Sequence, residues 1–240
     1  MKLKKIRNAF LFVLTLALVS AAAVAITYAL GTSMGNAENT FTSEPNIDVE
    51  ISEVDFDNST GFGENTHPDT YELGEVKAQK YYPAATIPKN PKLTNTSTEA
   101  NDEWVAMTLE YQVKINGNWY TYPGYTEFSN ALATVDTWNT NWEEKTGSNK
   151  TVFYYKSKLA KNANTDSIFE NVIINSSFTQ SGSNYEITYY TDSTTSATAT
   201  VSSLPDFRIN LKGYAVSADT IPNYADAKTP LDNLIASTNQ

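Results

Sequence analysis

Few residues in this chain are able to carry acid–base or metal chemistry. His67 is the only histidine and there is no cysteine, so a nucleophile–histidine arrangement has one candidate base and no zinc set of histidines and cysteines is available. His67 stands in the segment ENTHPDT, whose polar composition is typical of a loop. We therefore predict a solvated loop histidine, no catalytic or metal-binding residue, no cofactor and no enzymatic activity.

Two groups of carboxylates keep a chemical alternative open. Asp55, Asp57 and Glu64 lie close together in DFDNSTGFGEN and supply the oxygen ligands that calcium prefers, but their spacing does not match an EF-hand loop. Glu143 and Glu144 have the residue types of a glycosidase pair. Such carboxylates must face each other across about 5–9 Å, which sequence neighbours rarely do. Exposed charge is the expected state of both groups.

Aromatic residues are the more suggestive set. Exposed aromatic rings stack on sugar rings, so a strip of them on one sheet face would form a carbohydrate-binding surface. In a chain without cysteines, stability must come from packing, and most of these rings are expected in the core or at its rim. The candidates are Tyr81, Tyr82, Trp119, Tyr120, Tyr122, Tyr125, Trp138, Trp142, Tyr154 and Tyr155.

Four asparagines begin the N-x-S/T pattern of a glycosylation acceptor: Asn58, Asn95, Asn149 and Asn175. Chance explains these matches in a chain so rich in Asn, Ser and Thr.

The beginning of the chain predicts export. A basic cluster precedes an apolar run at 9–30, which is the charge layout of a signal peptide. The run reaches the ~20 residues that span a bilayer, so an uncut anchor is the alternative. Thr27 and Ala29 place small residues at the two positions that a signal peptidase reads. We therefore predict cleavage after Ala29, a mature chain that begins at Leu30, and membrane contact only through the uncleaved signal.

Charge and length restrict the product further. The chain has 17 basic and 27 acidic residues; removing the first 29 residues takes away four basic ones and leaves a net charge of −14. An acidic surface argues against nucleic acid as a partner. The remaining length fits one β-rich domain, and the many Asn, Thr and Ser residues are typical of strands and turns.

The elements that position these residues are predicted to be strands. In WVAMTLEYQVKI, alternate residues from Val105 to Ile115 are apolar, and Asn116-Gly117 supplies a hairpin turn before WYTY. Shorter strands are predicted at IDVEISEVDF, TVFYYKSKL, ENVIINSSF, YEITYY and FRINLKGYAV. A short helix fits TEFSNALATV, and Thr229 with Pro230 is predicted to begin a second one near the end. The pattern indicates an all-β antiparallel sandwich with a few short helices in connections.

Several segments together resemble the TasA/camelysin family of secreted proteins. The resemblance rests on the order of basic cluster, apolar core and TYA, followed by NTFTSEPNIDVEISE, and on later segments such as YYPAATIPKNPKLTNTSTEANDEWVAMTLEY and INLKGYAVSAD. The family's usual glycine-bearing link is replaced here by SEPNI. The resemblance implies processing by a SipW-type signal peptidase, a jelly-roll-like sandwich and export to the cell surface or biofilm matrix. It also implies self-association into fibres in which the N-terminal segment is a donor strand for the next subunit.

Under this resemblance the chain divides into a signal peptide (1–29), a leader (30–41) and a β-sandwich domain (42–240). Leu30, Met34 and Phe41 are the bulky apolar residues of the leader and the expected polymerisation residues. The leader is expected to order only on binding; a disordered N-terminal tail is the alternative.

Three functions stay open. The first is a structural protein that is secreted and polymerises. The second is a camelysin-like metalloendopeptidase, for which the sequence offers no metal ligands. The third is a carbohydrate-binding sandwich, which an aromatic strip on one sheet face would favour.

Overall fold

The chain folds into layered antiparallel sheets in the computed structural model, which describes residues 32–36, 47–53, 78, 81–98 and 101–238. The strands are β1 (Thr32–Asn36), β2 (Val49–Ser52), β3 (Thr86–Pro88), β4 (Lys92–Asn95), β5 (Glu103–Ile115), β6 (Asn118–Thr121), β7 (Ala133–Val135), β8 (Trp142–Glu144), β9 (Val152–Tyr155), β10 (Asn171–Ile174), β11 (Thr179–Ser181), β12 (Asn184–Tyr190), β13 (Ser196–Val201) and β14 (Phe207–Ser217). The helices are α1 (Tyr125–Ala131) and α2 (Tyr224–Ser237). The predicted all-β, sandwich-like class is confirmed, whereas jelly-roll connectivity stays a prediction.

The largest sheet has six strands in the order β1-β14-β5-β9-β8, with β6 paired to β5. Its axis is the long pair β5–β14, in which Glu103 lies opposite Ser217 and Val113 lies opposite Phe207. The alternation predicted for β5 is confirmed, since one face of the strand is buried in the main core. These residues are Val105, Met107, Leu109, Tyr111, Val113 and Ile115.

The hairpin between β5 and β6 is also confirmed. Ile115 pairs with Asn118, and the two turn residues have positive φ angles, 51° at Asn116 and 86° at Gly117. Asn and Gly tolerate this left-handed conformation best, which explains why the turn forms at this dipeptide.

The described residues form three smaller sheets as well: β2-β4, β3-β10-β7 and β11-β12-β13. Their buried residues, including Val49, Leu93, Val172 and Ile187, share one apolar core with the inner face of β5. Proline-containing β3 lies at an edge of its sheet, where a residue without an N–H group is tolerated, and the Ser/Thr-rich β13 lies at an edge as well.

Helix α2 begins earlier than the sequence predicted. Thr229 and Pro230 were expected at its start, but α2 begins at Tyr224 after Asn223, and Pro230 lies inside it. This prediction was wrong because Ala227, Leu231 and Ile235, spaced one turn apart, bury a stripe on both sides of the proline. Burial of that stripe offsets the roughly 3 kcal/mol that an internal proline costs a helix.

The α2 helix covers one half of the outer face of the main sheet. Its buried residues form a second apolar cluster with Trp104, Ala106, Tyr154, Tyr214 and Val216. The Trp104 Nε1–H group donates to the Ile221 carbonyl at 2.7 Å and holds the approach to the helix in place.

Candidate functional site

The β1 strand forms one edge of the main sheet and lies inside the predicted leader. It pairs antiparallel with β14, with Thr32 opposite Val216, Met34 opposite Tyr214 and Asn36 opposite Lys212. The pairing is made by backbone groups over five residues. A strand of almost any sequence can make such bonds, so this edge is suited to strand addition.

Beside this edge, the main sheet and the β2-β4 sheet approach each other closely. Gly35 pairs with Gly213 across β1 and β14. A Cβ atom at Gly213 would lie 2.6 Å from Leu93 Cδ2 and 3.3 Å from Val49 Cγ2, so β2 and β4 pack directly on the backbone of β14 there. A side chain at residue 213 would push these layers apart.

The predicted leader residues are only partly placed. Met34 lies in β1, whereas Thr27, Ala29, Leu30 and Phe41 lie outside the described residues. The leader was expected to become a strand only on binding a neighbour, yet residues 32–36 pair here within their own chain. Exchange of the strand between chains therefore stays a prediction, and it would use the same β14 edge.

A buried carboxylate lies where the sheet reaches β1. Glu103 is fully buried opposite Ser217, one residue beyond the Val216 that pairs with Thr32. Its Oε1 accepts a hydrogen bond from Ser97 Oγ and one of 3.3 Å from the Asp48 backbone N–H.

The second carboxylate oxygen of Glu103, Oε2, has no hydrogen-bond partner among the described residues. Burial raises the pKa of Glu103 to about 7, against the hydrogen bonds from Ser97 and Asp48, which favour the charged form. No local sequence pattern indicates this buried carboxylate, because Leu159 and Ser217, which lie opposite Glu103, are remote from it in the chain.

The part of the outer face that does not contact α2 carries one exposed indole among the described residues. Trp119 on β6 is 38% exposed, and the Arg208 guanidinium lies 4.3 Å from its ring centroid. Lys114 lies opposite Trp119 in the β5–β6 pair, and its Nζ is 5.8 Å from the centroid of the same ring. Such cation–π contacts hold an exposed ring in one orientation.

Polar side chains continue from Arg208 across the strands. Gln112 Oε1 accepts from Arg208 Nε at 2.6 Å and from Asn210 Nδ2 at 3.1 Å. Gln112 Nε2 donates to Thr121 Oγ1 at 2.9 Å, and Asn210 Nδ2 also donates to Glu110 Oε2 at 3.0 Å. We call Trp119, Arg208, Gln112, Asn210, Glu110 and Thr121 the outer-face row.

Most of the other candidate rings are packed, as expected for a core or rim. Tyr122, Trp142 and Tyr154 are buried, and a further set is partly buried against the main core: Tyr81, Tyr120, Tyr125, Trp138 and Tyr155. Only Tyr82 and Trp119 are large exposed apolar residues in the described part of the chain. The aromatic strip suggested by the sequence is therefore reduced to one ring on the main sheet.

The asparagines of the glycosylation patterns that lie within the described residues make hydrogen bonds inside the fold. Asn95 is fully buried, and its Nδ2 donates to the carbonyls of Asn101 and Leu159. Asn149 Nδ2 donates to Glu127, and Asn175 Nδ2 donates to the Ser129 carbonyl. All three side-chain amides therefore stabilise loops, whereas Asn58 lies outside the described residues.

The carboxylate pair Glu143–Glu144 has separate structural partners. Both residues lie in β8, where successive side chains point to opposite faces. Glu143 accepts from Lys228 at 2.6 Å and from Tyr224 at 3.0 Å, and the bond from Lys228 lowers its pKa. Glu144 lies 3.4 Å from Lys150 Nζ. The pair is half-buried and bonded, so the expectation of simple exposed charge was wrong for it.

No group of three or more His, Cys, Asp or Glu side chains within the described ranges is arranged to hold a metal ion. His67 and the carboxylates for which calcium was the alternative, Asp55, Asp57 and Glu64, lie outside those ranges. Neither α1 nor α2 has the length and apolar character needed to cross a bilayer.

No family model, curated protein or solved structure matches this chain. The resemblance to the TasA/camelysin family is therefore a hypothesis that rests on the sequence segments alone.

Proposed function

We propose that the protein is a secreted structural protein of the cell surface or biofilm matrix, and that it self-associates when β1 of one chain pairs with β14 of the next. The observation that carries this proposal is the position of β1. It is a five-residue edge strand that comes from the predicted leader and adds to the sheet through its backbone.

The covalent chain permits an exchange of this strand. Ten residues, 37–46, separate β1 from the next described residue, Ile47. A segment of that length can extend over about 35 Å, which is comparable to the width of a small domain. The strand can therefore reach the edge of an adjacent molecule without a change in the rest of the fold.

The equilibrium between β1 paired within its own chain and β1 paired with a neighbouring chain depends on the protein concentration. A β1 strand donated by a neighbour would restore the same register with β14 and satisfy the same backbone groups. The difference between the two states then lies mainly in the entropy lost on association and in strain of the connecting segment. High local concentration at a cell surface shifts that balance towards fibres.

The test compares the secreted protein beginning at Leu30 with a variant beginning at Thr42. We expect filaments from the longer protein by electron microscopy and folded, lower-melting monomers from the shorter one, because its β14 edge is uncovered. A peptide covering residues 30–41 should raise the melting temperature of the shorter protein by mass action. Filaments of equal abundance from both proteins would overturn strand exchange. N-terminal sequencing of the secreted protein tests cleavage after Ala29 separately.

A further inference from the structure

We propose that two copies of this chain associate through the open edge of β13, with their β13 strands antiparallel and Thr198 opposite the Thr198 of the second copy. The proposal concerns a different sheet edge from the β1–β14 pair and does not depend on strand exchange. A twofold pair of this kind is closed, because each copy offers the same strand to the other.

The β13 strand has one paired side and one open side. It is the last strand in the order β11-β12-β13, and among the described residues it pairs with β12 alone. Opposite residues of an antiparallel pair alternate between pairs that exchange two hydrogen bonds and pairs that exchange none. The Thr191 N–H group donates to the Thr195 carbonyl at 3.0 Å, so the bonded pairs fall at the odd-numbered residues of β13. The backbone groups of the even-numbered residues therefore point away from β12; these residues are Ser196, Thr198 and Thr200.

A separate contact agrees with this alternation. Thr188 lies opposite Thr198, and its carbonyl accepts a hydrogen bond from the Tyr122 hydroxyl at 2.8 Å. That carbonyl is used outside the β12–β13 ladder, as expected for a pair that exchanges no hydrogen bonds. The outward N–H and C=O groups of β13 thus form a row with which a further strand can pair.

The β13 edge lacks the features that usually protect an edge strand. Natural edges are short or carry charges or proline, because an unprotected edge pairs with other chains. The β13 strand has six residues, and every other edge strand among the described residues is shorter. It contains no charged residue, proline or glycine, whereas β3 contains Pro88 and β8 contains Glu143 and Glu144. This edge is therefore suited to pairing between molecules.

The charge distribution permits a second copy at this edge although the protein has a net charge of −10. No charged residue occurs from Ser193 to Pro205, and Glu186 is the only charged residue of β11, β12 and β13. Glu186 lies opposite Thr200, which faces Ser196 of the second copy in this register. The two Glu186 side chains are then three strand spacings apart across the sheet, which is about 14 Å. That distance exceeds the Debye length of about 8–10 Å, so salt screens their repulsion.

The order of residues in β13 makes the strand complementary to itself. With Thr198 opposite Thr198, Ser196 lies opposite Thr200, and these pairs take up every outward backbone group of both strands. Ala197 lies opposite Ala199, and these small side chains suit the non-bonded pairs, whose Cα atoms are only about 4.5 Å apart. The exposed Thr198 side chains meet across the axis, where threonine pairs form hydrogen bonds. The two three-stranded sheets then form one continuous sheet.

The first test places one cysteine on the proposed axis. Thr198→Cys is made in the whole secreted protein, which has no natural cysteine. A concentrated solution is oxidised, and the denatured chains are separated on a non-reducing gel. We expect a covalent dimer, because opposite residues of an antiparallel pair lie within the range of a disulfide.

The matched control is Thr188→Cys. Thr188 is exposed like Thr198 but lies one strand further from the edge, so the two copies of residue 188 would be about 14 Å apart, too far for a disulfide. Thr198→Cys should form the dimer at least tenfold faster than this control. The gel separates denatured chains, so the result is the same whether or not filaments are present.

The second test measures the register. Protein with Ser196→Cys is mixed with protein that carries Thr200→Cys, and the oxidised products are identified by mass. Residue 196 of one copy lies opposite residue 200 of the other in the proposed pair, so the mixed dimer should exceed either homodimer at least tenfold.

The third test blocks the edge without a cysteine. Sedimentation velocity of the protein, cleared of filaments, should show a dimer that increases with concentration; one strand pair buries less than the roughly 1,200 Å² of a standard interface, so the dimer is weak. Thr198→Lys places like charges opposite each other and should weaken dimerisation at least tenfold, whereas Thr188→Lys should stay within twofold of the wild type. Melting temperatures are compared for all variants, and Thr200→Lys replaces Thr198→Lys if that variant melts early.

Three results would overturn the proposal. The first is an equal rate of dimer formation in Thr198→Cys and Thr188→Cys. The second is a mixed dimer that is no more abundant than chance pairing gives. The third is a protein that stays monomeric at every concentration, or a dimer that the lysine at the edge leaves unchanged. Strand exchange is scored from filaments and from residues of β1 and β14, so failure here leaves that proposal standing.

Discussion

Replacing Glu103 by glutamine is expected to remove a pH dependence from the stability of the fold. Glu103 is fully buried, and Oε2 lacks a hydrogen-bond partner among the described residues. Among the described residues, the titratable side chain that faces it is Asp48, whose charge also raises the pKa of Glu103. The other contacts come from Ser97, Leu159 and Ser217, which do not titrate.

The size of the effect follows from the two pKa values. The pKa of Glu103 is about 7 in the folded protein, against an ordinary value of 4.5. Between these values the folded state keeps a proton that the unfolded state releases, so the free energy of unfolding falls as pH rises. The full contribution is present below about pH 4.5 and is lost by about pH 7, with a total loss of about 3 kcal/mol.

The assay is urea unfolding, followed by tryptophan fluorescence from about pH 4 to about pH 8, on the wild type and Glu103→Gln. The difference between their unfolding free energies should shift by about 3 kcal/mol in favour of the variant as pH rises. Glu50→Gln, which removes an exposed carboxylate from the neighbouring β2, should show no such trend. Parallel curves for the wild type and Glu103→Gln would refute the reasoning, because Glu103 would then be charged or neutral in both states alike.

Two further predictions test the packing of the sheets by chemical unfolding. Gly213→Ala should cost about 1–3 kcal/mol, because its Cβ would lie 2.6 Å from Leu93 Cδ2; adding Leu93→Ala should then cost less than the sum of the two changes. A neutral Gly213→Ala would mean that the layers are not in close contact there. Leu109→Asp should cost several kcal/mol of the ~5–15 available, because it buries an unpaired charge. Thr108→Asp on the opposite face is the control, and equal costs for both would contradict the assigned alternation.

Local patterns were sufficient to predict part of the fold. The alternation of β5 and the Asn116-Gly117 turn depend on neighbours in sequence, so both could be recognised without the structure. The start of α2 could not be predicted in this way, because Thr229 and Pro230 form a strong local signal for a helix start at a later position. That signal is overridden by the burial of Ala227 and its neighbours on a remote strand pair.

The candidate sites depend on contacts between distant segments. Trp119 and Arg208 are 89 positions apart, and their stacking arises only because β6 and β14 both flank β5. Gly213 looks like any strand glycine until Leu93 and Val49 are placed against it. Glu103 follows two polar residues, Asn101 and Asp102, and its burial comes from other parts of the chain. No hydrophobic periodicity in the sequence indicates these contacts between distant segments.

Strand exchange at the β14 edge is tested most directly by a cysteine pair, Asn36→Cys with Lys212→Cys. These residues lie opposite each other in the β1–β14 register, and the natural chain has no cysteine to compete. Opposite residues of an antiparallel pair lie within the range that a disulfide spans. Oxidation of assembled protein should give a ladder of covalent oligomers on a non-reducing gel, whereas dilute monomer should give only an intrachain link, and either single cysteine variant at most a dimer. An intrachain link alone, at every concentration tested, would contradict the account.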